Sequence, residues 1–366
     1  AALRETISTT ENGVQTTYPL DVTIARTLFV DIFGPVEARL AQARHLIFEP
    51  DGAMLSLPVN LLIVQQQGFD AYLARSIEPE ADPFDFRGIA WLGRDHMVST
   101  ALSARAFADS RAAAPSSAPK AYLGLGENTR LLLAPPALVP VGAARPGGDC
   151  GWPGDQWNHP ISAAELRQAA SVFPASRSEI LTGAAFTDAA LFARDDLDGF
   201  RILHFATHGL VTPPKPQCPA RPALVTSFAG GSRSNGLLEF GEIFELKLDA
   251  DIVLLSACDT AGAASVQASR AAGLNGGGSA LDGLVRAFIG AGGRSVIASH
   301  WPAPDDFRAT ERLMSGLFSA APGESTGEAL RRAQAALMDA AETSHPFYWS
   351  GFALIGDGAR PLIPAQ

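Results

Sequence analysis

Cysteine is scarce in this chain: three among 366 residues, at positions 150, 218 and 258. No two stand in a C-x-x-C spacing, and an odd count of distant thiols argues against a disulfide framework or a structural zinc site. Charge is sparse too, 18% of residues, and it leans acidic, with 28 basic against 38 acidic side chains and a net charge of −10. Only Lys120, Lys215 and Lys247 are lysines, and no basic cluster forms. A phosphate backbone would be repelled, so no nucleic-acid partner is expected. No run approaches about 18 apolar residues without a charge, so no membrane partner or spanning helix is expected. The opening residues, AALRETISTTENG, lack a basic stretch leading into an apolar one, so no secretory signal is read there. Unpaired thiols then make a reducing, cytoplasmic location the default. Also missing are the G-x-x-x-x-G-K-[ST] phosphate loop, the G-x-S-x-G elbow of serine hydrolases, and any repeat with a period of about 20–50 residues.

What is abundant is apolar material, 47% of the chain. That is enough for a sizeable core and incompatible with overall disorder, and the length suggests about two domains. A polar lead-in precedes an amphipathic helix over 21–43, in which Leu28, Ile32, Val36 and Leu40 recur at i, i+4 and Pro35 forces a kink. In HLIFEPDGAMLSLPVNLLI, apolar runs flank Pro50-Asp51-Gly52, which reads as a hairpin. A strand at 96–100 and a helix follow. The Pro, Ser and Ala of AAAPSSAP (112–119) then read as a linker, dividing the chain into 1–117 and 118–366. Beyond it, apolar strands at 121–126, 178–183, 201–208, 251–259, 295–301 and 351–357 alternate with helical stretches. S-A-A-E at 162–165 is the capping box of one such helix, and Thr187 caps the next. Strands apolar on both faces and separated by helices indicate an α/β fold with a parallel sheet covered on both sides.

Open sheets of this kind bind ligands outside the carboxyl ends of their strands. Two ends carry reactive groups: RILHFAT runs into His208-Gly209, and DIVLLSA into Cys258-Asp259. An imidazole beside a thiol can take its proton and release the nucleophilic thiolate. The amides of Gly209 and Cys258 could form an oxyanion hole, since a glycine permits close approach. Taken singly, the cysteine is as readily a packed thiol and the histidine a hydrogen-bonded strand end. A metal site on His204 and His208 fails, because four residues along a strand span about 13 Å. Two zinc–nitrogen bonds of about 2 Å cannot bridge that distance. His204 is therefore a sheet residue that supports its neighbours, and no metal is expected. Gly124-Leu-Gly126 is no dinucleotide fingerprint, since Thr129 stands where the third glycine belongs, and no cofactor is expected. The glycine-rich stretch 273–278, which precedes a helix, reads as a flexible loop, with anion binding as the alternative. Asp305 and Asp306 follow the strand at 295–301 and cap the next helix, face a basic substrate side chain, or divide the two roles between them. Asp195 and Asp196 read as solvated surface.

These segments together resemble one family. LHFATHG (203–209), LLSACDTAG (254–262), GLVRAFIGAGGRSVIASHWPAPDD (283–306) and HPFYWSGFALIGDG (345–358) are similar to the CHAT domain. FGPVEARLAQARHLIFEPDGAMLSLPVNLL (33–62) and YLGLGE (122–127) extend the likeness upstream. CHAT domains are caspase-like cysteine peptidases related to separase and caspases. The resemblance implies a caspase-like three-layer sandwich on a six-stranded, mostly parallel sheet, preceded by a degenerate caspase-like subdomain over 1–117. It implies His208 as general base, Cys258 as nucleophile, the Gly209 and Cys258 amides as oxyanion hole, and Asp305 or Asp306 as the residue that binds a basic P1 side chain.

The implied activity is endopeptidase cleavage of a specific protein substrate after Arg or Lys, without metal or cofactor. Family themes include gasdermin cleavage, CRISPR-associated substrates and bacterial antiviral defence, under control of a TPR or sensor region or partner outside this chain. The Arg-for-Lys bias suits a GC-rich bacterial source. Two departures stand out: Ser299-His300-Trp301 where S-L-W is common, and a proline-rich 211–236 segment that is a gate, a cleavable linker or a passive loop. The alternative is a catalytically silent caspase-like scaffold that binds partner proteins.

Overall fold

The computed structural model describes residues 3, 7–11, 14–131, 152, 154–210, 222–229, 234–257, 281–301, 304 and 306–365. The chain forms two compact units, Ala1–Ala108 with Ala303–Gln366, and Asp109–Pro302. Strands are numbered along the chain: β1 Ser8–Glu11, β2 Val14–Thr17, β3 His45–Phe48, β4 Met97–Thr100, β5 Lys120–Gly126, β6 Ser178–Thr182, β7 Phe200–Thr207, β8 Gly209–Leu210, β9 Ala223–Val225, β10 Leu237–Glu239, β11 Ile252–Ala257, β12 Ser295–Ser299 and β13 Phe352–Gly356.

In the Asp109–Pro302 unit, five strands lie in the order β12–β11–β7–β5–β6, every pair parallel. β7 is buried along seven of its eight residues, as a strand covered on both faces must be. Helix Ala164–Ala170 packs Leu166 on Ala206 on one face, and helix Leu281–Gly290 brings Phe288 within 5.2 Å of the Phe205 ring on the other. The unit is thus α/β in three layers. β8, β9 and β10 form a separate antiparallel sheet in the order β10–β9–β8, which no periodicity in the sequence announced.

Close approach explains two glycines of β5. A methyl at Gly126 would stand 2.2 Å from the Ala206 carbonyl oxygen of β7, and one at Gly124 would meet only side chains, Tyr122 and Leu166, at 3.1–3.3 Å. Backbone in a paired strand cannot yield as a side chain can. Gly126→Ala should therefore cost about 3 kcal/mol and Gly124→Ala clearly less, measured as the shift in chemical-denaturation midpoint.

The other unit holds β3, β4 and β13 as parallel neighbours in that order, and β1 and β2 as an antiparallel pair. Its helix Thr326–Met338 is capped by Ser325, whose hydroxyl accepts from the Glu328 amide, and it buries Ala329, Leu330, Ala333 and Leu337 along one face. Trp91 and Trp349, both fully buried, meet at 5.4 Å in the core. The helix expected over 21–43 is split at Pro35: Val22–Phe33 stops before it, a 3-10 turn Gly34–Val36 follows, and a short helix Glu37–Leu40 closes the stretch.

Three expectations are corrected. The hairpin around Pro50-Asp51-Gly52 does not form: Asp51 accepts from the Gly52 amide and starts a 3-10 turn over Gly52–Ser56, so β3 has no return strand and pairs in parallel with β4. The implied six strands become five parallel strands in one unit and three in the other, among the described residues. The linker-like 112–119 stretch is tied down. Asp251 accepts from the Ser116 amide at 2.8 Å, and Asp249 accepts from both the amide and the hydroxyl of Ser117 at 2.8 Å.

Candidate active site

His208 sits where the chain leaves the parallel sheet for the small antiparallel one. Thr207, the last residue of β7, is fully buried and its hydroxyl donates to the Val225 carbonyl at 2.6 Å. The Val225 amide donates to the His208 carbonyl at 2.9 Å, and Gly209 pairs with Leu224 at the start of β8. The backbone around His208 is thus gripped by β9 on both sides. The half-buried imidazole places Nε2 2.6 Å from the His159 carbonyl oxygen. A carbonyl can only accept, so Nε2 carries a proton and Nδ1 is the lone-pair nitrogen of the neutral ring.

β11 runs beside β7 with Ala257 opposite Thr207. Cys258 is the next residue of the sequence; it lies outside the described residues, as do Cys150, Cys218, Asp305 and the 273–278 stretch. Of the 211–236 segment, 211–221 and 230–233 lie outside as well.

Asp306 is exposed and has no ion-pair partner among the described residues; the nearby Arg308 guanidinium is taken by Glu311, Nε donating at 2.6 Å. It does not cap the following helix: Arg308 is the N-cap residue of Ala309–Phe318, and no side chain bonds there. Phe307 and Arg308 both adopt positive φ, 54° and 55°, a strained conformation for side chains of that size. The Phe307 ring stands edge-on to Tyr348 at 5.6 Å. Burial pushes the Tyr348 hydroxyl above the phenolic range, and the Asp306 charge adds to it.

His204 is a sheet residue of β7, opposite Leu254 of β11. It is fully buried, with Nδ1 2.9 Å from the Tyr122 hydroxyl and Nε2 3.5 Å from Glu165 Oε1. Burial drives the Tyr122 phenol well up, and the Glu165 charge adds to it. Glu165 is consequently no capping-box residue. Helix Ala164–Ala170 has Ala163 at its N-cap, and Ser162 Oγ accepts only from the adjacent Ala164 amide. The box pattern was matched by residues whose actual partner lies across the sheet face. His300, the departure from S-L-W, follows β12 and is buried, its ring 6.4 Å from Trp301. Asp196 is no free surface charge: it accepts from Arg194 at 2.8 Å and from Lys120 at 3.1 Å.

Among the described residues, no group of three or more His, Cys, Asp or Glu side chains could hold a metal ion. No helix among them is long and apolar enough to cross a membrane.

A three-layer α/β unit with a histidine at the carboxyl end of a central parallel strand defines the general class. Over residues 22–357 the sequence matches the family model of the CHAT domain, and the chain belongs to that family. No curated protein matches it. Among solved structures it is similar to the Saccharomyces cerevisiae separase–securin complex, with a TM-score of 0.42 and 11% identity over 72% of this chain and 14% of that one. It thus spans a small part of the separase chain. It is also similar to the complex of Porphyromonas gingivalis RgpB pro- and mature domains, with a TM-score of 0.46 and 10% identity over 90% of this chain and 71% of that one. A third similar structure is the Arg-specific cysteine proteinase gingipain R, with a TM-score of 0.44 and 10% identity over 90% and 70% of the two chains.

Proposed function

We propose that this CHAT-domain chain is a caspase-like cysteine endopeptidase that cleaves a protein substrate after a basic residue. The observation that supports it most is the register of β7 on β11. Ala257 and Thr207 are partners, so the sequence continues from one strand into Cys258 and from its neighbour into His208. Neighbouring strands lie about 4.8 Å apart, the scale on which an imidazole serves a thiol.

In the proposed reaction His208 Nδ1 takes the Cys258 proton, and the thiolate forms a bond to the scissile carbonyl carbon. The Gly209 and Cys258 amides receive the resulting oxyanion. The imidazolium gives its proton to the leaving amine as the C–N bond breaks. Water, losing a proton to His208, then attacks the thioester, and the free acid leaves as the thiol is restored. The carbonyl of His159 holds the Nε2 proton throughout, so the ring accepts and donates through one nitrogen.

Asp305 and Asp306 are proposed to select the P1 side chain. Asp306 supports this as an exposed carboxylate whose charge is felt at the Tyr348 hydroxyl while its cationic neighbour Arg308 is engaged elsewhere. A guanidinium suits a carboxylate next to an aromatic face. A panel of fluorogenic peptides varied at P1 should show cleavage after Arg and Lys and none after Asp or Leu. Asp305→Ala or Asp306→Ala should lower kcat/KM on the Arg peptide by roughly ten- to a hundredfold, the loss of one charge-assisted contact. If neither does, the assignment is wrong. A regulatory TPR or sensor region outside this chain, a cytoplasmic setting, and a role in bacterial defence such as gasdermin cleavage belong to the same proposal.

A further inference from the structure

The group that orients His208 is a backbone carbonyl, and a backbone carbonyl is only as well placed as the segment that carries it. His159 ends a single-turn helix, Asp155–Asn158, too short to persist by its own propensity. Hydrogen bonds and packing against the rest of the unit hold that turn. Trp157, 1% exposed, donates its indole N–H to the Thr226 carbonyl at 3.0 Å, with the Gly236 carbonyl at 3.3 Å. Its ring packs with Leu210, Ala223, Val225 and Leu237. Asn128, 2% exposed, donates Nδ2–H to the Trp157 carbonyl at 3.0 Å. Asn158 Oδ1 accepts from the Leu131 amide at 3.0 Å. Pro160 follows and keeps His159 out of the helical region, at φ −119° and ψ 60°.

These contacts converge on one short piece of chain. Val225 of β9 binds the His208 carbonyl, and Thr226, the next residue, binds the Trp157 indole. The base and the carrier of its orienting carbonyl are therefore registered on two consecutive residues. A displacement of about 1 Å between them would break a hydrogen bond that is 2.6 Å long and release the imidazole to other rotamers.

We infer that Asn128 and Trp157 are positioning residues for His208, acting through the His159 carbonyl. The inference rests on the proposed role of His208 as the base. Trp157→Phe keeps an aromatic ring in the cluster but removes the indole donor, and Asn128→Leu keeps the approximate shape but removes the amide. Each should lower kcat on an Arg-ending peptide about tenfold to a hundredfold with KM unchanged. Leu237→Val trims one packing contact of the Trp157 ring but leaves the indole N–H and the Asn128 amide in place, and should keep the wild-type kcat.

The second readout does not require hydrolysis. The His208 ring N–H proton, hydrogen-bonded and slow to exchange in the wild type, should be visible by NMR, and lost in Trp157→Phe and Asn128→Leu but not in Leu237→Val. Retention of both kcat and the proton signal in the first two variants would overturn the inference, as would equal losses in all three. If the wild type hydrolyses no peptide, the peptidase reading falls, and the proton signal alone decides the positioning role.

Discussion

Cys258→Ala should abolish peptide hydrolysis, with kcat falling about 10⁴-fold or more. The proposed route passes through a covalent thioester, and alanine offers no atom to form it. Whatever rate remains would come from binding and oxyanion contacts alone. His208→Ala should cost a comparable factor. The double variant should be little worse than either single one, because a nucleophile without its base and a base without its nucleophile fail at the same step. The chain contains its own controls in Cys150 and Cys218. A thiol whose proton is drawn off by an imidazole reacts as thiolate near neutral pH, so an alkylating probe should label Cys258 well ahead of the other two. Full hydrolysis by Cys258→Ala would sink the mechanism. Equal labelling of all three thiols, with no peptide cleaved, would favour the silent scaffold.

Mild acid should destabilise the unit built from residues 1–108 and 303–366 through one histidine. His345 is buried against the rings of Phe84, Phe86 and Tyr348, at 5.6, 5.1 and 6.4 Å. Its Nε2–H donates to the Tyr18 carbonyl at 2.8 Å, and Nδ1 accepts from the Phe347 amide at 3.1 Å. Both ring nitrogens are satisfied in the neutral form, and a second proton would set Nδ1 against an N–H. Burial accordingly lowers the group from 6.5 to about 4. The unfolded chain takes up this proton near 6.5 and the folded one only near 4. Stability is therefore whole above pH 6.5 and drains away as the pH falls to 4, by about 3 kcal/mol in total. Denaturation curves across that window should show the loss, and His345→Gln, which does not titrate, should flatten it. A wild-type curve that stays level between pH 6.5 and 4 would refute the argument.

How much of this was legible beforehand depends on the kind of interaction. Parallel strands were legible because a strand covered on both faces is mostly apolar along its length, as β5, β7, β11 and β12 are. One helix start followed its cap at Thr187, whose partner amide lies three residues on. Contacts between residues far apart in sequence were not legible. The Asp51 turn and the Glu165 box each matched a local pattern, yet the chain placed β3 beside β4 and Glu165 beside His204. His208 could be singled out from its strand end, whereas its orienting partner is a carbonyl, a group every residue carries. Asn128 and Trp157 gave no local signal either, since their hydrogen bonds reach 29 and 69 residues along the chain.

The all-parallel order of β12–β11–β7–β5–β6 has a consequence for the order of events at the ribosome. No strand of this sheet can close a short hairpin with its neighbour; β5 waits for β7, and Ile202 of β7 waits for Ile252 of β11. Pairings of that span form slowly compared with local structure. On the proposed chemistry, a nascent chain that has emerged as far as β7 holds a base and no nucleophile. The growing polypeptide is harmless to its surroundings until the sheet that joins the two has closed.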